Sequence, residues 1–306
     1  MLPFAAKQAR RLTTKTPSVP TEFVGVSGQR VGNQRYILKD IPESNFKYSQ
    51  EMQDSLRECP NIRLFQDMVA EQPMFIYPYL SDDLLSLARE GLPLTTTKRI
   101  LKDVLRGLDA LHSQDIVHTD VKANNILINR REGSHGMAID EVQLADIEDA
   151  AHVPPESTIV GLQAGNIMWR SPEAHMEAPL SKPSDIFSFG IVCIYAVLQR
   201  VIFAVGEEEL AEGEEALAVV LERQTSYFGD EDGMNGLLEY LAASPWCEVL
   251  QILRQGFSKD NPRMPFSLWK GVDSDFKNLI GGLTNLDPRK RLSAHEALSH
   301  KWFADV

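Results

Sequence analysis

At 306 residues, with 43% apolar and 24% charged side chains, the chain has the composition of a soluble globular protein, built as one large domain or two lobes. A formal net charge of −12 argues against a general nucleic-acid binder, because phosphate backbones would repel it. The three cysteines, Cys59, Cys193 and Cys247, are too scattered for a disulfide framework or a metal knuckle and favour a reducing compartment.

The first twenty residues, MLPFAAKQARRLTTKTPSVP, carry four basic side chains, and no acid precedes Glu22. Residues 1–21 read as a disordered basic tail on a cytoplasmic protein. The same composition suits a mitochondrial targeting segment, which stays as the alternative. QRYILKDI (34–41) alternates as a strand does, with Tyr36 and Leu38 on one face and Ile37, Lys39 and Ile41 on the other. NFKYSQEMQDSLREC (45–59) reads as a short amphipathic helix closed by Pro60, and IRLFQDMV (62–69) and PMFIYPYL (73–80) as two further strands. The chain up to residue 80 is therefore strand-rich with a single helix.

Beyond residue 81 the pattern turns helical. TTTKRILKDVLRGLDALH (95–112) sets Leu101, Val104, Leu108 and Leu111 at helical spacing, with threonines available as an N-cap. IVHTDVKANNILIN (116–129) then places His118, Asp120, Lys122 and Asn125 between two apolar strand ends. Residues 128–146 read as a hairpin whose polar, Gly-containing turn joins ILIN to VQLAD. The chain past residue 171 is mostly helical. Its longest apolar run, within 187–205, is interrupted by Gln199 and Arg200. The run is too short for the ~20 residues of a membrane span, and a helix buried on all sides is expected. EEELAEGEE (207–215) reads as a solvated acidic face. A strand-rich lobe followed by a helical one would leave a cleft between them, where ligands usually bind.

The order of the polar motifs is more specific than any one of them. HTDVKANN (118–125), ADIED (145–149), WRSPEA (169–174), SDIFSFG (184–190) and LDPRKRLSAHEALSHKWF (286–303) follow one another in the order of the eukaryotic protein-kinase family. Over residues 34 to 303 the chain resembles that family. The resemblance implies an α+β, two-lobed fold over residues 22–306. Its small strand-rich N-lobe (22–80) is open to truncation, and its larger C-lobe (81–306) is helical.

The implied activity is ATP-dependent phosphoryl transfer to Ser or Thr hydroxyls of a protein substrate, with Mg²⁺ as cofactor. No nucleic-acid or membrane partner is implied, and oligomeric state is unreadable. In that reading Asp120 orients the hydroxyl proton of the substrate, and Lys122 neutralises charge on the transferring phosphate. Asn125 and Asp146 supply hard oxygen ligands for the metal. Lys39 holds the nucleotide phosphates, and Tyr79 and Leu80 lie where the nucleotide is bound. Glu173 would pair with Arg291, and Asp185 would accept backbone N–H bonds from the loop, with His118 packed nearby.

Several positions depart from the family pattern. Gly25, Gly28 and Gly32 lack the spacing of a phosphate-cradling glycine loop. Ile37 stands where a small alanine is usual, and Tyr77 at the gatekeeper position is large. Counting back from Cys59 to the helix residue that should pair with Lys39 lands on Gln50, with Glu51 beside it. Thr119 replaces the usual arginine before the catalytic aspartate, which removes an arginine pocket for a phosphorylated activation loop. Glu148 takes the place of the glycine two residues after Asp146. Asn166 follows Gly165 in place of a threonine, its amide expected to bridge Asp120 and Lys122. These departures keep a second reading open, a pseudokinase that binds or scaffolds with weak or no catalysis. A small-molecule kinase fits the intact SPE and SDIFSFG elements less well.

Overall fold

The computed structural model of the protein describes residues 26–31, 34–69, 71–133, 136–213 and 215–306; the basic tail and the glycines at 25 and 32 lie outside them. The N-terminal lobe is a four-stranded antiparallel sheet in the order β1-β2-β4-β3. Its strands are β1 (Val26–Val31), β2 (Gln34–Asp40), β3 (Asp67–Met68) and β4 (Met74–Pro78). The register opposes Ile37 to Tyr77 and Lys39 to Phe75. Phe65 and Phe75 stack at 4.5 Å, Phe46 covers Phe75 at 4.8 Å, and these rings with Ile41 and Tyr77 make a small separate core.

Only Asp67–Met68 of the expected strand 62–69 pairs in this sheet. The first part of that segment does something else. Asn61 accepts the Leu144 N–H at 2.9 Å, and Arg63 donates its own N–H to Leu144 at 2.8 Å. These two bonds strap the segment to the strand that leads into Asp146. Gly107 lies against the same segment, where an added Cβ would meet the Asn61 carbonyl at 2.7 Å.

Helix α1 (Glu43–Ser55) packs on the sheet through Ser49, Met52 and Gln53, with Leu56 just beyond its end completing the buried stripe. The C-terminal lobe begins with β5 (Asp82–Asp83) and a one-turn helix α2 (Leu84–Leu87), whose first turn is capped by Asp83 accepting Ser86 N–H at 2.9 Å. Helix α3 (Leu94–Ser113) buries Leu101, Val104, Leu108 and Leu111 completely. Each such leucine contributes about 1.5–3 kcal/mol of hydrophobic burial. The threonines do not cap this helix: Pro93 holds the N-cap position and Thr97 bonds back to its carbonyl from inside the first turn.

Strands β6 (Ile116–Val117), β7 (Ile126–Gly133), β8 (Gly136–Leu144) and β9 (Ala151–His152) frame the cleft. The hairpin β7–β8 matches the expected one and joins β5 in a three-stranded sheet, while β6 pairs with β9. Below them lie α4 (Pro172–His175), α5 (Lys182–Leu198), α6 (Ala216–Phe228), α7 (Glu231–Leu241), α8 (Trp246–Gly256), α9 (Ser274–Leu283) and α10 (Ala294–Leu298). Helix α5 is the apolar run, buried all round from Ser184 to Ala196 and stopped at Gln199 in a left-handed conformation. Among the described residues no helix is long and apolar enough to cross a membrane.

Candidate active site

The polar loop between β6 and β7 is held from beneath by one buried carboxylate. Asp185, on α5, accepts the backbone N–H of His118 at 2.8 Å and of Thr119 at 2.9 Å, and His112 Nε2 lies 3.0 Å from it. The His118 ring spans the loop and the end of β8. Its Nε2 lies 3.0 Å from the Ala145 carbonyl and its Nδ1 3.3 Å from the Asp120 N–H, which assigns the ring hydrogen to Nε2. Thr119 has φ of 69°, which for a residue with a Cβ costs about 1–2 kcal/mol. The two bonds from Asp185 and the Thr119 hydroxyl on the Asp149 carbonyl at 3.3 Å hold it there. Gly165 (φ 83°) lies so close over this turn that a Cβ would meet the Thr119 carbonyl at 2.8 Å.

This anchoring brings the expected residues together. Lys122 Nζ donates to Asp120 Oδ2 at 2.5 Å, and Asn125 Nδ2 donates to the Asp120 carbonyl at 3.0 Å. Asn125 Nδ2 also lies 3.4 Å from Asp146 Oδ2, so the polar loop and the end of β8 meet at these two side chains. Across the cleft Lys39 binds Asp146 Oδ1 directly. Asp146 itself has φ of 70°, a second left-handed residue at the same site. Burial works against the charged form of both partners. The Glu148 and Asp146 carboxylates nevertheless raise the Lys39 pKa above its usual value, and Lys39 holds Asp146 below the ordinary carboxylate range.

The arrangement suits a magnesium–nucleotide complex. Asn125 turns its amide nitrogen toward Asp120 and Asp146, so its amide oxygen is not spent on either, and that oxygen and the Asp146 carboxylate are the hard ligand atoms the two residues offer. Among the described residues no three His, Cys, Asp or Glu side chains form a cation cage. Mg²⁺ is commonly bound by one or two protein oxygens with phosphate and water completing the shell, and this donor set fits that chemistry.

Other residues stand differently from expectation. Neither Gln50 nor Glu51 pairs with Lys39; Glu51 is exposed and lies 3.7 Å from Lys47 one turn away. The residue of α1 turned inward is Gln53, fully buried, which donates to the Tyr77 hydroxyl at 3.0 Å and accepts the Phe65 N–H at 2.9 Å. The second carboxylate on Lys39 is Glu148, whose Oε2 lies 2.8 Å from Nζ. Asn166 does not bridge Asp120 and Lys122; its side-chain oxygen accepts the Met168 N–H at 3.0 Å and closes a local turn.

Arg63 is a further site residue, and sequence reasoning missed it because it reads as one polar position in an apolar run. Its Nη2 donates to the Pro78 carbonyl at 2.8 Å, and its guanidinium lies 5.0 Å over the Tyr77 ring. Burial lowers its pKa from the usual arginine value. Tyr79 and Leu80 follow on the connector between the lobes: Tyr79 donates its N–H to Arg35 at 3.2 Å with Arg35 over its ring, and Leu80 is buried. Glu173 and Arg291 pair as expected, at 2.6 and 2.8 Å.

Known proteins resemble this chain in sequence and in fold. Cyclin-dependent kinase 4 of Ovis aries is 25% identical over 261 residues, spanning 80% of this chain and 75% of that protein. A protein of Dictyostelium discoideum named as a probable cyclin-dependent serine/threonine-protein kinase is 27% identical over 260 residues, 81% of this chain and 17% of its own length. The crystal structure of the yeast RNA Pol II CTD kinase CTDK-1 complex contains a chain with the same fold. It superposes with a TM-score of 0.69 at 20% identity, covering 91% of this chain and 89% of that one. The family model for the protein kinase domain matches residues 32–303, and with it the chain belongs to the protein kinase family.

Proposed function

We propose that the chain transfers the terminal phosphoryl group of ATP to Ser or Thr hydroxyls of a protein substrate. The observation that carries this reading is the convergence of Lys39, Asp146, Asn125 and the Asp120–Lys122 pair on one point of the cleft, Lys39 from the upper wall and the others from the lower. Asp120 accepts the hydroxyl proton or aligns the hydroxyl for attack, and Lys122, already 2.5 Å from it, neutralises charge on the group in flight. Asn125 and Asp146 would hold Mg²⁺, which when bound neutralises charge between the phosphates. Lys39 orients the phosphates from the opposite wall. A serine or threonine acceptor is favoured by Lys122 two residues after Asp120, and by the named specificity of the Dictyostelium relative. Cys59, Cys193 and Cys247 are free thiols, in keeping with a cytoplasmic setting.

The test is phosphate transfer from labelled Mg·ATP to a degenerate Ser/Thr peptide library by the parent and by Asp120→Asn. Loss of the orienting carboxylate should lower kcat by about 10²–10⁴-fold while the affinity for Mg·ATP stays nearly unchanged. Equal rates in the two proteins would remove Asp120 from the mechanism.

A second reading, a binding module with weak or no catalysis, has one specific observation behind it. Arg63 already occupies the Pro78 carbonyl on the connector between the lobes, where an incoming base would seek an acceptor. Under that reading millimolar Mg·ATP gives the parent no thermal stabilisation.

A further inference from the structure

Every acid on α1 faces away from the cleft. Glu51 is 69% exposed beside Lys47, and Asp54 pairs with Arg57 at 2.9 Å on the outer surface. The inward positions are Ser49, Met52 and Gln53, none of which carries a charge. A lysine that grips phosphates still needs an anion to hold it in place, and the helix provides none.

We propose that Glu148 is the carboxylate that holds Lys39 in its working position, in place of a helix acid; its use in catalysis rests on the phosphotransfer reading above. Glu148 sits in the short turn Ile147–Asp149 directly after Asp146, with its side chain only 12% exposed. One oxygen takes the Lys39 ammonium at 2.8 Å, and the other accepts the Tyr77 hydroxyl at 2.5 Å.

The hydrogen bonds behind it run in one direction. Gln53 Oε1 accepts the Phe65 N–H at 2.9 Å and lies 3.3 Å from the Tyr77 oxygen, much farther than the Glu148 oxygen at 2.5 Å, so the single Tyr77 hydrogen goes to Glu148 and Gln53 Nε2 donates to the Tyr77 oxygen. A carboxylate at position 53 has no hydrogen to give Tyr77 and would add a second negative charge behind Glu148. Gln53, Tyr77 and Glu148 therefore fit one another as a set. The enlarged gatekeeper, the uncharged helix and the acid in a glycine position are one substitution pattern rather than three defects.

Lys39 has three N–H donors, of which Asp146 and Glu148 take two. The third is available to a phosphate oxygen. Because both anions sit on the metal-binding turn, the lysine is placed by that turn and not by the position of α1.

The test compares the parent, Glu148→Gln, Gln53→Glu, and the exchange Glu148→Gln/Gln53→Glu, each checked for folding by circular dichroism. Two readouts are used: the ¹⁵N NMR signal of the Lys39 ammonium, assigned by its loss in Lys39→Met, and the affinity for Mg·ATP with the transfer rate. In the nucleotide-free parent the ammonium should exchange slowly enough to be seen. Glu148→Gln should lose that signal and weaken Mg·ATP binding by about ten- to a hundred-fold. The exchange keeps the total charge but puts the carboxylate behind Tyr77, where position 53 meets Tyr77 and Phe65 and not Lys39, so it should recover neither; recovery of both would overturn the assignment to position 148. Tyr77→Phe, which frees one Glu148 oxygen, should fall between parent and Glu148→Gln.

An ammonium signal that persists in Glu148→Gln would overturn the assignment, as would Mg·ATP binding or transfer that is unchanged or improved. A parent that shows the ammonium signal and its loss in Glu148→Gln, but neither binds nor transfers, would leave Glu148 in place and refute the phosphotransfer reading alone.

Discussion

Arg291→Met should be among the most destabilising single changes in the C-terminal lobe. The Arg291 and Glu173 side chains are 0% and 1% exposed and meet in a two-pronged contact at 2.6 and 2.8 Å. The same guanidinium donates Nε to the Asn285 carbonyl at 2.7 Å and Nη1 to the Pro183 carbonyl at 2.9 Å, and it lies 5.0 Å over the Phe187 ring. Methionine fills much of the volume but strands the Glu173 carboxylate in a dry site. Breaking one side of such a pair costs about 3–5 kcal/mol, and each carbonyl left without its donor adds ~0.5–1.5 kcal/mol. A total of about 4–8 kcal/mol corresponds to a fall in Tm of roughly 8–32 °C for a large domain. Urea and thermal unfolding of Arg291→Met, Glu173→Met and the double variant would measure it. Because the pair offsets its own desolvation, the double variant should be more stable than either single one. A single substitution costing under about 1 kcal/mol, or a double variant losing the sum of the two singles, would refute the reasoning.

Two further outcomes follow from the cleft. Arg63→Val frees the Pro78 carbonyl and removes a cation from behind Tyr77, so Mg·ATP should bind about ten-fold more tightly by calorimetry; no change would acquit Arg63 as the obstacle. The stability difference between the parent and Lys39→Met should depend on pH in a defined way. Asp146 is depressed in the folded protein, so its contribution is present above the unfolded carboxylate value and is lost as pH falls through the lower folded one. Lys39 is raised, so its contribution is present below the unfolded lysine value and is lost as pH rises through the higher folded one. The difference should be flat from about pH 5 to 9 and shrink beyond both ends in urea titrations. A difference that varies steeply near neutrality would contradict the pairing.

What the sequence disclosed depended on how local the signal was. The strand Gln34–Asp40, helix α3 and the hairpin β7–β8 each carry their own periodicity, and all three form where the pattern put them. The grouping of Asp120, Lys122 and Asn125 is local too, since the three lie within six residues. Glu173 and Arg291 are 118 positions apart, and only the resemblance to a family joined them. Counting from Cys59 failed for the Lys39 partner because the helix ends at Ser55 and its buried stripe, not its distance from a turn, sets which side faces the cleft. Of that stripe, Ser49, Met52, Gln53 and Leu56, only Met52 and Leu56 are apolar, so hydrophobic spacing did not mark Gln53 as the inward residue. Arg63 and Glu148 were beyond such reading. Their partners Pro78, Tyr77 and Lys39 come from other strands, so no spacing within one segment encodes the contact.

Departures from the family pattern stand on both walls of the cleft, Ile37 and Tyr77 above and Thr119, Glu148 and Asn166 below, while the lower wall keeps Asp120, Lys122, Asn125 and Asp146. Asp185 fixes the loop through two backbone bonds, and Thr119 and Asp146 are both held at φ near 70°. Two left-handed non-glycine residues on adjoining segments cost energy that a loop without a fixed task has no reason to retain. Around Lys39 the charges are balanced across the cleft. Lys39 and Arg63 face Asp146 and Glu148, two cations against two carboxylates, joined through the hydroxyl of Tyr77 and the ring beneath Arg63. A buried charge costs energy unless it is paired and hydrogen-bonded, and Lys39 meets both conditions through Asp146 and Glu148. The two carboxylates on Lys39 leave its third N–H for a phosphate oxygen, and Arg63→Val tests whether the guanidinium on the Pro78 carbonyl restricts what binds beside it.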